Sequence, residues 1–393
     1  MSPDPFTITS RDGDARAGVL GLPHGTVATP AFVPLASTGT VKSLHASEVS
    51  ALGFEMVLGN TFHLFVRPGA ERLREQGGLH EFMGWRQPII TDSGGFQVFS
   101  MGHGNVAAEI KRTGSRRQGQ GVLLSIDERG ARFRSYLDGA ELFMGPEESM
   151  EMQAAIGSDI ALAFDECTPF HVTREYTQSS TERTHRWLER CVGWHREHGE
   201  AGRLLYGIVQ GGVYEDMRGE SARFVAEAGV DGIAIGGSLG QEKEQMRDVV
   251  GWALGESPNT LPRHLLGIGD IDDLVAGVRA GIDTFDCATP TRLGRHGTAL
   301  VPDPGGRWRL DLTAPASAGV KGPIEEGCPC PACREHTRSY LHYLLRAREL
   351  TGVRLVTLHN LTFVERLMTG MRTAIGAGEL EVYGERVLAG GAP

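Results

Sequence analysis

The stretch "PIITDSGG" (residues 88–95) sets the pattern from which the fold of this chain can be predicted. A short apolar run ends in Asp92, Ser93 and two glycines, and such runs are typical of parallel strands that are buried on both faces. The carboxylate followed by glycines has two interpretations. It is either a capped tight turn, or an acid beside a place where a flat ligand approaches the backbone closely.

The same plan occurs eight times along the chain. The apolar runs are 29–37, 56–63, 88–95, 159–167, 204–212, 232–239, 264–270 and 284–290. Amphipathic helical patterns lie between most of them, at 145–157, 177–199, 213–229, 241–255 and 271–281. Eight buried strands that alternate with helices predict an α/β protein with a (β/α)8 TIM barrel. An open doubly wound sheet is the alternative, because periodicity does not show closure.

Two other segments are predicted to form hairpins. The opening residues 6–25 indicate a hairpin that lies over one end of the barrel. Residues 96–144 interrupt the alternation between the third and fourth strands, and "ARFRSYLDG" within them has the alternation of a hairpin.

The predicted strand ends carry most of the chemically useful side chains. In a TIM barrel the working residues gather at the C-terminal ends of the strands. These ends supply Asp92, Asp165 with Glu166, Gln210, Gly236 with Gly237, Gly267 with Gly269, and Asp286. A single aspartate at such a junction is often a helix cap. Three of them at one rim instead favour a pocket for a flat polar ligand with acids on its wall.

The motif "CPCPAC" places Cys328, Cys330 and Cys333 within six residues and predicts a metal site. A tetrahedral zinc ion needs a fourth ligand, and His359 is favoured, with His336 and His342 as alternatives. Residues 334–352 read as one helix that returns the chain to the cysteines. A Cys3His set leaves no open coordination position, so the zinc would be structural.

Composition limits the classes of function. The formal charge of −10 argues against a generally basic nucleic-acid binder but leaves room for a local basic face. Two basic segments, 109–121 and 290–297, are candidates for that face. Their cations are Lys111, Arg112, Arg116, Arg117, Arg292 and Arg295. No membrane-spanning run and no secretory signal are recognised, so a cytoplasmic location without membrane contact is expected.

Taken in order, "TDSGGFQVFS", "FDECTP", "GIVQGG", "IGGSLG", "GIDTFDCATPTR" and "CPCPAC…LHN" resemble the tRNA-guanine transglycosylases, also called queuine tRNA-ribosyltransferases. The resemblance covers about residues 6 to 380. It implies a zinc-containing barrel that exchanges guanine at the tRNA wobble position for a 7-deazaguanine. In bacterial members that base is preQ1, the tRNAs carry GUN anticodons (Asp, Asn, His and Tyr), and homodimers are common.

The resemblance also implies roles for particular residues. Asp286 matches the nucleophile and Asp92 the proton-transferring acid. The matches to base-binding residues are Asp92, Ser93, Gly94, Gly95, Phe96, Asp165, Gln210 and Gly237. The matches to zinc ligands are Cys328, Cys330, Cys333 and His359. The matches to RNA-contacting residues are Gly267, Ile268, Gly269, Asp270, Ile271, Asp272, Asp273, Thr291, Arg292, Leu293, Gly294 and Arg295.

Two departures from the family pattern bear on function. Residues Ser238 to Gln241 are one residue shorter than the segment common in bacterial members, and Gln241 stands where that segment has an acid. The choice among deazaguanines is therefore left open. The basic, Gly-rich stretch 110–121 is longer than the family pattern.

Replacing one base by another at C1′ with retained configuration is served by two displacements. Asp286 would attack, and Asp92 would move the proton if burial brings its pKa towards neutrality. The glycines after Asp92 would leave room for the ring, and the target nucleotide must be flipped out. Binding of tRNA through a local basic patch should weaken steeply with salt.

Three alternatives remain at this point. A barrel glycoside hydrolase would use the same acids but leave the cysteine cluster without a role. A non-catalytic tRNA-binding subunit would not need Asp286 or Asp92. A third alternative is a relative that acts on another RNA position or on DNA.

The sequence predicts three parts: 1–290, the barrel with its N-terminal hairpin and insertion; 291–360, the zinc-binding subdomain after the eighth strand; and 361–393, a closing helix and tail.

Overall fold

The computed structural model describes residues 5–102, 123–169, 171–240 and 242–393 of the chain. Its centre is a ring of eight parallel strands, one for each apolar run of the sequence. They are β4 (Ala31–Val33), β5 (Val57–Gly59), β6 (Ile89–Thr91), β10 (Ile160–Leu162), β11 (Leu204–Val209), β12 (Gly232–Ile235), β13 (Arg263–Leu265) and β14 (Thr284–Asp286).

The strands form a closed barrel. They pair in the order β4-β14-β13-β12-β11-β10-β6-β5. The first and last strands then meet through a parallel bridge between Leu35 and Leu58, in which the N–H of Leu58 donates to the carbonyl of Pro34 at 2.9 Å. The (β/α)8 barrel is confirmed, and the open-sheet alternative is wrong.

Helices follow the strands around the outside of the barrel. The helices up to the eighth strand are α1 (Ala46–Ala51), α2 (Thr61–Val66), α3 (Ala70–Glu75), α4 (Gly78–Met83), α5 (Gly95–Gly102), α6 (Pro146–Ile156), α7 (Arg174–His198), α8 (Glu215–Glu227), α9 (Lys243–Gly255) and α10 (Ile271–Arg279). The start of α6 agrees with its sequence, since Pro146 opens it and Gly157 ends it with a left-handed φ of 77°.

A three-stranded antiparallel sheet covers the N-terminal end of the barrel. Its strands are β1 (Phe6–Asp12), β2 (Ala15–Leu22) and β3 (Gly25–Thr29), so the predicted hairpin gains a third strand. Phe6, Leu20 and Val27 pack into one buried cluster with the inward-facing residues of the barrel strands. This end is closed, which leaves the opposite end for a ligand.

The insertion after β6 forms a second small sheet, with β7 (Leu123–Asp127), β8 (Gly130–Arg134) and β9 (Glu141–Met144). The motif "ARFRSYLDG" supplies most of its middle strand and the following turn. The basic stretch 110–121, with Lys111, Arg112, Arg116 and Arg117, lies outside the described residues, as does Gln241.

A smaller unit follows the eighth strand. It contains α11 (Thr289–Arg295), β15 (Thr298–Leu300), β16 (Arg309–Asp311), the 3-10 turn Pro315–Ser317, α12 (Pro331–Glu335), α13 (Arg338–Arg346), α14 (Leu350–Ala377) and α15 (Leu380–Leu388). The prediction of one helix over 334–352 is wrong. Three helices meet there, and the break before α14 contains Arg348 with a φ of 60°. Residue 360, where a boundary was expected, lies inside α14.

No helix within the described residues is both long and apolar enough to cross a membrane.

Candidate active site

The polar residues predicted at the strand ends meet at one rim of the barrel. Asp92 follows β6, Gln210 follows β11, and Asp286 is the last residue of β14. Asp165 lies three residues beyond β10, and Gly237 two residues beyond β12. Because all eight strands are parallel, these positions face the same opening, as expected for a TIM-barrel active site.

Asp92 is held by the loop that follows the neighbouring strand β5. One carboxylate oxygen accepts from the N–H of Thr61 at 2.8 Å, and the other accepts from the side-chain amide of Asn60. Burial raises the pKa of Asp92 to about 7, the Thr61 N–H opposes this rise, and the nearby carboxylates of Asp286 and Asp165 increase it. A carboxyl group in this state can both give and take a proton near neutral pH.

Asp165 is fixed between two polar side chains. Its carboxylate accepts from the Ser93 hydroxyl at 2.6 Å and from the Gln210 amide at 2.6 Å. Burial raises the pKa of Asp165 to about 6, while these two hydrogen bonds act in the opposite direction. All three residues are buried, at 4%, 3% and 2% exposure respectively. A rigid acceptor of this kind suits the N–H edge of a purine-like base.

The glycines beside Asp92 are required by the packing of the protein around them. A Cβ at Gly95 would lie 2.2 Å from the carbonyl oxygen of Asp165, and one at Gly94 would lie 3.0 Å from the sulfur of Met144. Gly94 also has a φ of 85°. Protein atoms fill the space where their side chains would point, which is one reason for glycine here; that the glycines also leave room for a ligand ring stays a prediction. Phe96, next in the chain, is half-buried.

Gly237 likewise makes room for a protein atom, since its Cβ would lie 2.2 Å from the amide oxygen of Gln210.

Asp286 lies at the end of β14, with its side chain nearly buried. One of its oxygens is 3.2 Å from Nε2 of His264 and accepts from the N–H of Gly267 at 3.1 Å. The other ring nitrogen of His264 is 2.9 Å from the hydroxyl of Thr284. These contacts fix the direction of the carboxylate.

The two segments matched to RNA contacts differ in how they face this site. In the first, the N–H of Gly267 donates to Asp286. The acids Asp270, Asp272 and Asp273 surround the ammonium of Lys243, at 3.9, 2.6 and 3.1 Å. The second segment, Thr291 to Arg295, forms most of α11, which begins three residues after Asp286. Within it Arg292 is half-buried and Arg295 is exposed.

The predicted metal ligands converge in the C-terminal unit. Nδ1 of His359 lies 3.6, 3.5 and 3.4 Å from the sulfurs of Cys328, Cys330 and Cys333. A tetrahedral ion with bonds of about 2.3 Å to sulfur and about 2.0 Å to nitrogen separates such atoms by about 3.5 Å. The four residues therefore fit a tetrahedral metal ion, and His336 and His342 are not needed.

The helix that carries His359 also holds the residues around α11. Nε2 of His359 donates to the carbonyl of Leu300 at 2.7 Å, which leaves Nδ1 for the metal. The next residue, Asn360, accepts from the N–H of Leu300 at 2.7 Å and donates to the carbonyls of Pro290 and Thr298 at 3.0 and 2.9 Å. The metal group, which consists of Cys328, Cys330, Cys333 and His359, is thus joined to the helix that follows Asp286.

Sequence reasoning did not select several residues that shape the site. Asn60, Thr61, His264 and Asn360 were not singled out as candidates. His264 offered a signal, because an imidazole in a buried strand needs hydrogen-bond partners. The positions of Asn60 and Thr61 depend on β5 lying next to β6, which periodicity does not show.

Known proteins are similar to this chain over almost its whole length. A family model described as "Queuine tRNA-ribosyltransferase" matches residues 11–391. Proteins of that name are similar to this chain in several bacteria. One from Roseiflexus sp. is 47% identical over 384 residues, covering 95% of this chain and 96% of its own. One from Pelotomaculum thermopropionicum is 46% identical over 378 residues, covering 95% of each chain. One from Thiobacillus denitrificans is 45% identical over 378 residues, with the same coverage.

Proposed function

Since this chain belongs to the queuine tRNA-ribosyltransferase family, we propose that it exchanges guanine at the wobble position of GUN-anticodon tRNAs for preQ1. The enzyme is a pentosyltransferase of tRNA queuosine biosynthesis. The observation that carries the proposal is the meeting of Asp92 and Asp286 at one rim, close enough for Asp286 to raise the pKa of Asp92.

The first displacement forms a covalent intermediate. The carboxylate of Asp286 attacks C1′ of the flipped wobble nucleotide, the bond from C1′ to guanine breaks, and an ester to the ribose remains. His264 and the N–H of Gly267 hold one Asp286 oxygen, so the other is free to attack. Asp92, protonated in this step, gives its proton to the departing guanine.

The second displacement restores the enzyme. Asp92, now ionised, takes a proton from the ring nitrogen of the incoming base, which attacks C1′ and releases Asp286. A pKa near 7 suits a group that must carry the proton in both directions. Asp165 with Ser93 and Gln210 would bind the N–H edge of either base. Two inversions at C1′ retain the configuration.

Recognition of tRNA is assigned to the basic residues near the nucleophile. Arg292 and Arg295 on α11 would hold the phosphates around the flipped nucleotide, together with the start of the Gly267 to Asp273 segment. The Cys3His group would hold one zinc ion, and the ion would stabilise the C-terminal unit without entering the reaction.

Incubation with labelled guanine and separate GUN tRNAs tests the activity. Exchange predicts incorporation into the RNA, whereas a glycoside hydrolase would release free base or sugar. Offering preQ1, queuine and guanine in turn determines the preferred base.

The Asp286→Ala variant tests the nucleophile. We expect a folded protein that neither exchanges base nor forms a covalent adduct with RNA in a denaturing gel, because no other group would attack C1′. An adduct that survives in this variant would contradict the assignment.

A further inference from the structure

Arg218 is a fully buried cation that lies directly behind the proposed base pocket. It belongs to α8 and is 0% exposed. Within the described residues its guanidinium has no carboxylate at ion-pair distance. Burial lowers the pKa of Arg218 to about 10, so it remains charged at neutral pH. A buried charge without a partner of opposite sign is costly, and its hydrogen bonds must then compensate for lost hydration.

Within the described part of the chain, the side chain of Arg218 donates to backbone carbonyls at the ends of two neighbouring strands and in the loops that follow them. On the β11 side, its N–H groups donate to Val209 at 2.9 Å and to Gly212 at 2.7 Å. On the β12 side, they donate to Gly236 at 2.8 Å and to Ser238 at 2.9 Å. One planar group thus joins the two loops that carry Gln210 and Gly237.

The loops have little freedom to rearrange around this group. Gly211 has a φ of 123°, and a Cβ there would lie 2.8 Å from the backbone nitrogen of Arg218. One turn further along α8, the hydroxyl of Ser221 accepts from the N–H of Gln210 at 3.1 Å. The same face of α8 therefore contacts the pocket loops through both Arg218 and Ser221.

We propose that Arg218 is a positioning residue for base recognition, which sets the separation between Gln210 and Gly237 and thereby the affinity for the incoming base. The inference rests on the proposed function. Arg218 does not touch the base. It acts through Gln210, whose amide in turn holds Asp165.

The Arg218→Lys variant tests this inference in the full-length enzyme. A lysine has three donors on one nitrogen and cannot reach four carbonyls on two loops. We expect the KM for preQ1 to rise at least about tenfold, and the KM for tRNA to change less than about twofold. A KM for preQ1 that stays within about twofold of wild type would overturn the inference.

Arg16→Lys is the matched control. Arg16 is also fully buried, but it lies at the closed end of the barrel, where it pairs with Asp283. We expect this variant to lose stability and to keep the KM for preQ1. An equal rise in that KM in both variants would mean that general loosening is responsible, and would overturn the inference.

Ser221→Ala provides the test if Arg218→Lys does not fold. It removes the hydroxyl that holds the N–H of Gln210 and that also lies 3.0 Å from Nε2 of His185, and a rise of about threefold or more in the KM for preQ1 is expected. An unchanged KM in a folded Ser221→Ala enzyme overturns the inference. The proposed function is tested separately, because wild-type enzyme that exchanges no base would refute it whatever the variants do.

Discussion

Asp92 must remain able to ionise in a site that disfavours charge. Its two partners, Asn60 and Thr61, come from the loop after β5, and they direct the carboxylate towards the opening of the barrel. Burial and the neighbouring carboxylates raise its pKa to about 7. The same environment that prepares the group for proton transfer costs folding free energy when the group is ionised.

Replacing Asp92 by asparagine should therefore change the pH dependence of stability. Folded Asp92 keeps its proton up to about pH 7, whereas the unfolded chain loses it near about pH 4. The folded state binds more protons between these values, so the contribution of Asp92 to the free energy of unfolding falls as pH rises.

The advantage of the Asp92→Asn variant over wild type should grow across that range. Urea titrations at intervals from about pH 4 to about pH 8 measure it. A difference that does not vary with pH would contradict a raised pKa.

At the scale of single residues, the sequence was informative for polar side chains at the ends of predicted strands. Asp92, Asp165, Gln210 and Asp286 could be selected because they follow predicted strands. The residues that orient these side chains could not be selected. His264 and Asn60 reach Asp286 and Asp92 only because the strands that carry them are neighbours, and the sequence does not show which strands are neighbours. The packing reason for Gly95 could not be predicted either, since only the structure shows the Asp165 carbonyl beside it.

Among the elements near the site, the start of α5 is tightly restricted by packing. Gly95→Ala would place a methyl group 2.2 Å from the carbonyl oxygen of Asp165. We expect a cost of about 2–3 kcal/mol in the free energy of unfolding, with weaker binding of the base. The control is Gly193→Ala in α7, where nothing lies within 4 Å of the added Cβ.

The control should gain up to about 1 kcal/mol, because alanine is the better helix former. Chemical denaturation of both variants measures the difference. Similar stabilities would contradict the close packing at Gly95.

Helix α14 connects the metal group to the segment that follows the nucleophile, and Asn360 makes that connection. Asn360→Ala leaves the buried N–H of Leu300 and the carbonyls of Pro290 and Thr298 without their partner. We expect a loss of about 3 kcal/mol in stability and a higher KM for tRNA, with the metal content unchanged.

Thr373→Ala, on the exposed face of the same helix, is the control and should stay within about 0.5 kcal/mol of wild type. Metal analysis and denaturation curves check both variants. If Asn360→Ala released the metal, the prediction that Asn360 supports the segment after Asp286 without affecting metal binding would be wrong.

The elements themselves were largely predictable. Seven of the eight barrel strands lie within the predicted apolar runs, and β13 begins one residue before its run, at Arg263. Each strand is shorter than its run, because the last residues of the run belong to the loops at the rim. The division of residues 334–352 among three helices was not predicted. At the break before α14, the left-handed conformation of Arg348 cannot be recognised from its side chain.

For the whole molecule, we propose that a metal ion held by Cys328, Cys330, Cys333 and His359 stabilises the C-terminal unit outside the barrel core. Removing the ion should unfold residues 321–360 and reduce activity indirectly, because four buried ligands would lose their shared partner. Hydrogen exchange should show lost protection there, while peptides from β10 to β12 stay protected.

Cys333→Ser should reproduce the effect. The control Cys191→Ser, at a buried cysteine outside the group, should keep the metal. Chelated enzyme with full activity and an unchanged melting profile would contradict a structural role.

The sheet that closes the N-terminal end of the barrel precedes several of its polar partners in the chain by more than 250 residues. The guanidinium of Arg16 binds Asp283, Arg372 donates to the carbonyl of Pro30 at 2.8 Å, and the N–H of Leu380 donates to Asp12 at 2.8 Å. The apolar faces of the first strands can be covered by the barrel strands, but these polar contacts cannot all form until residue 380 has been synthesised. We expect a nascent chain with this order of assembly to bind chaperones, and early release from them to favour aggregation.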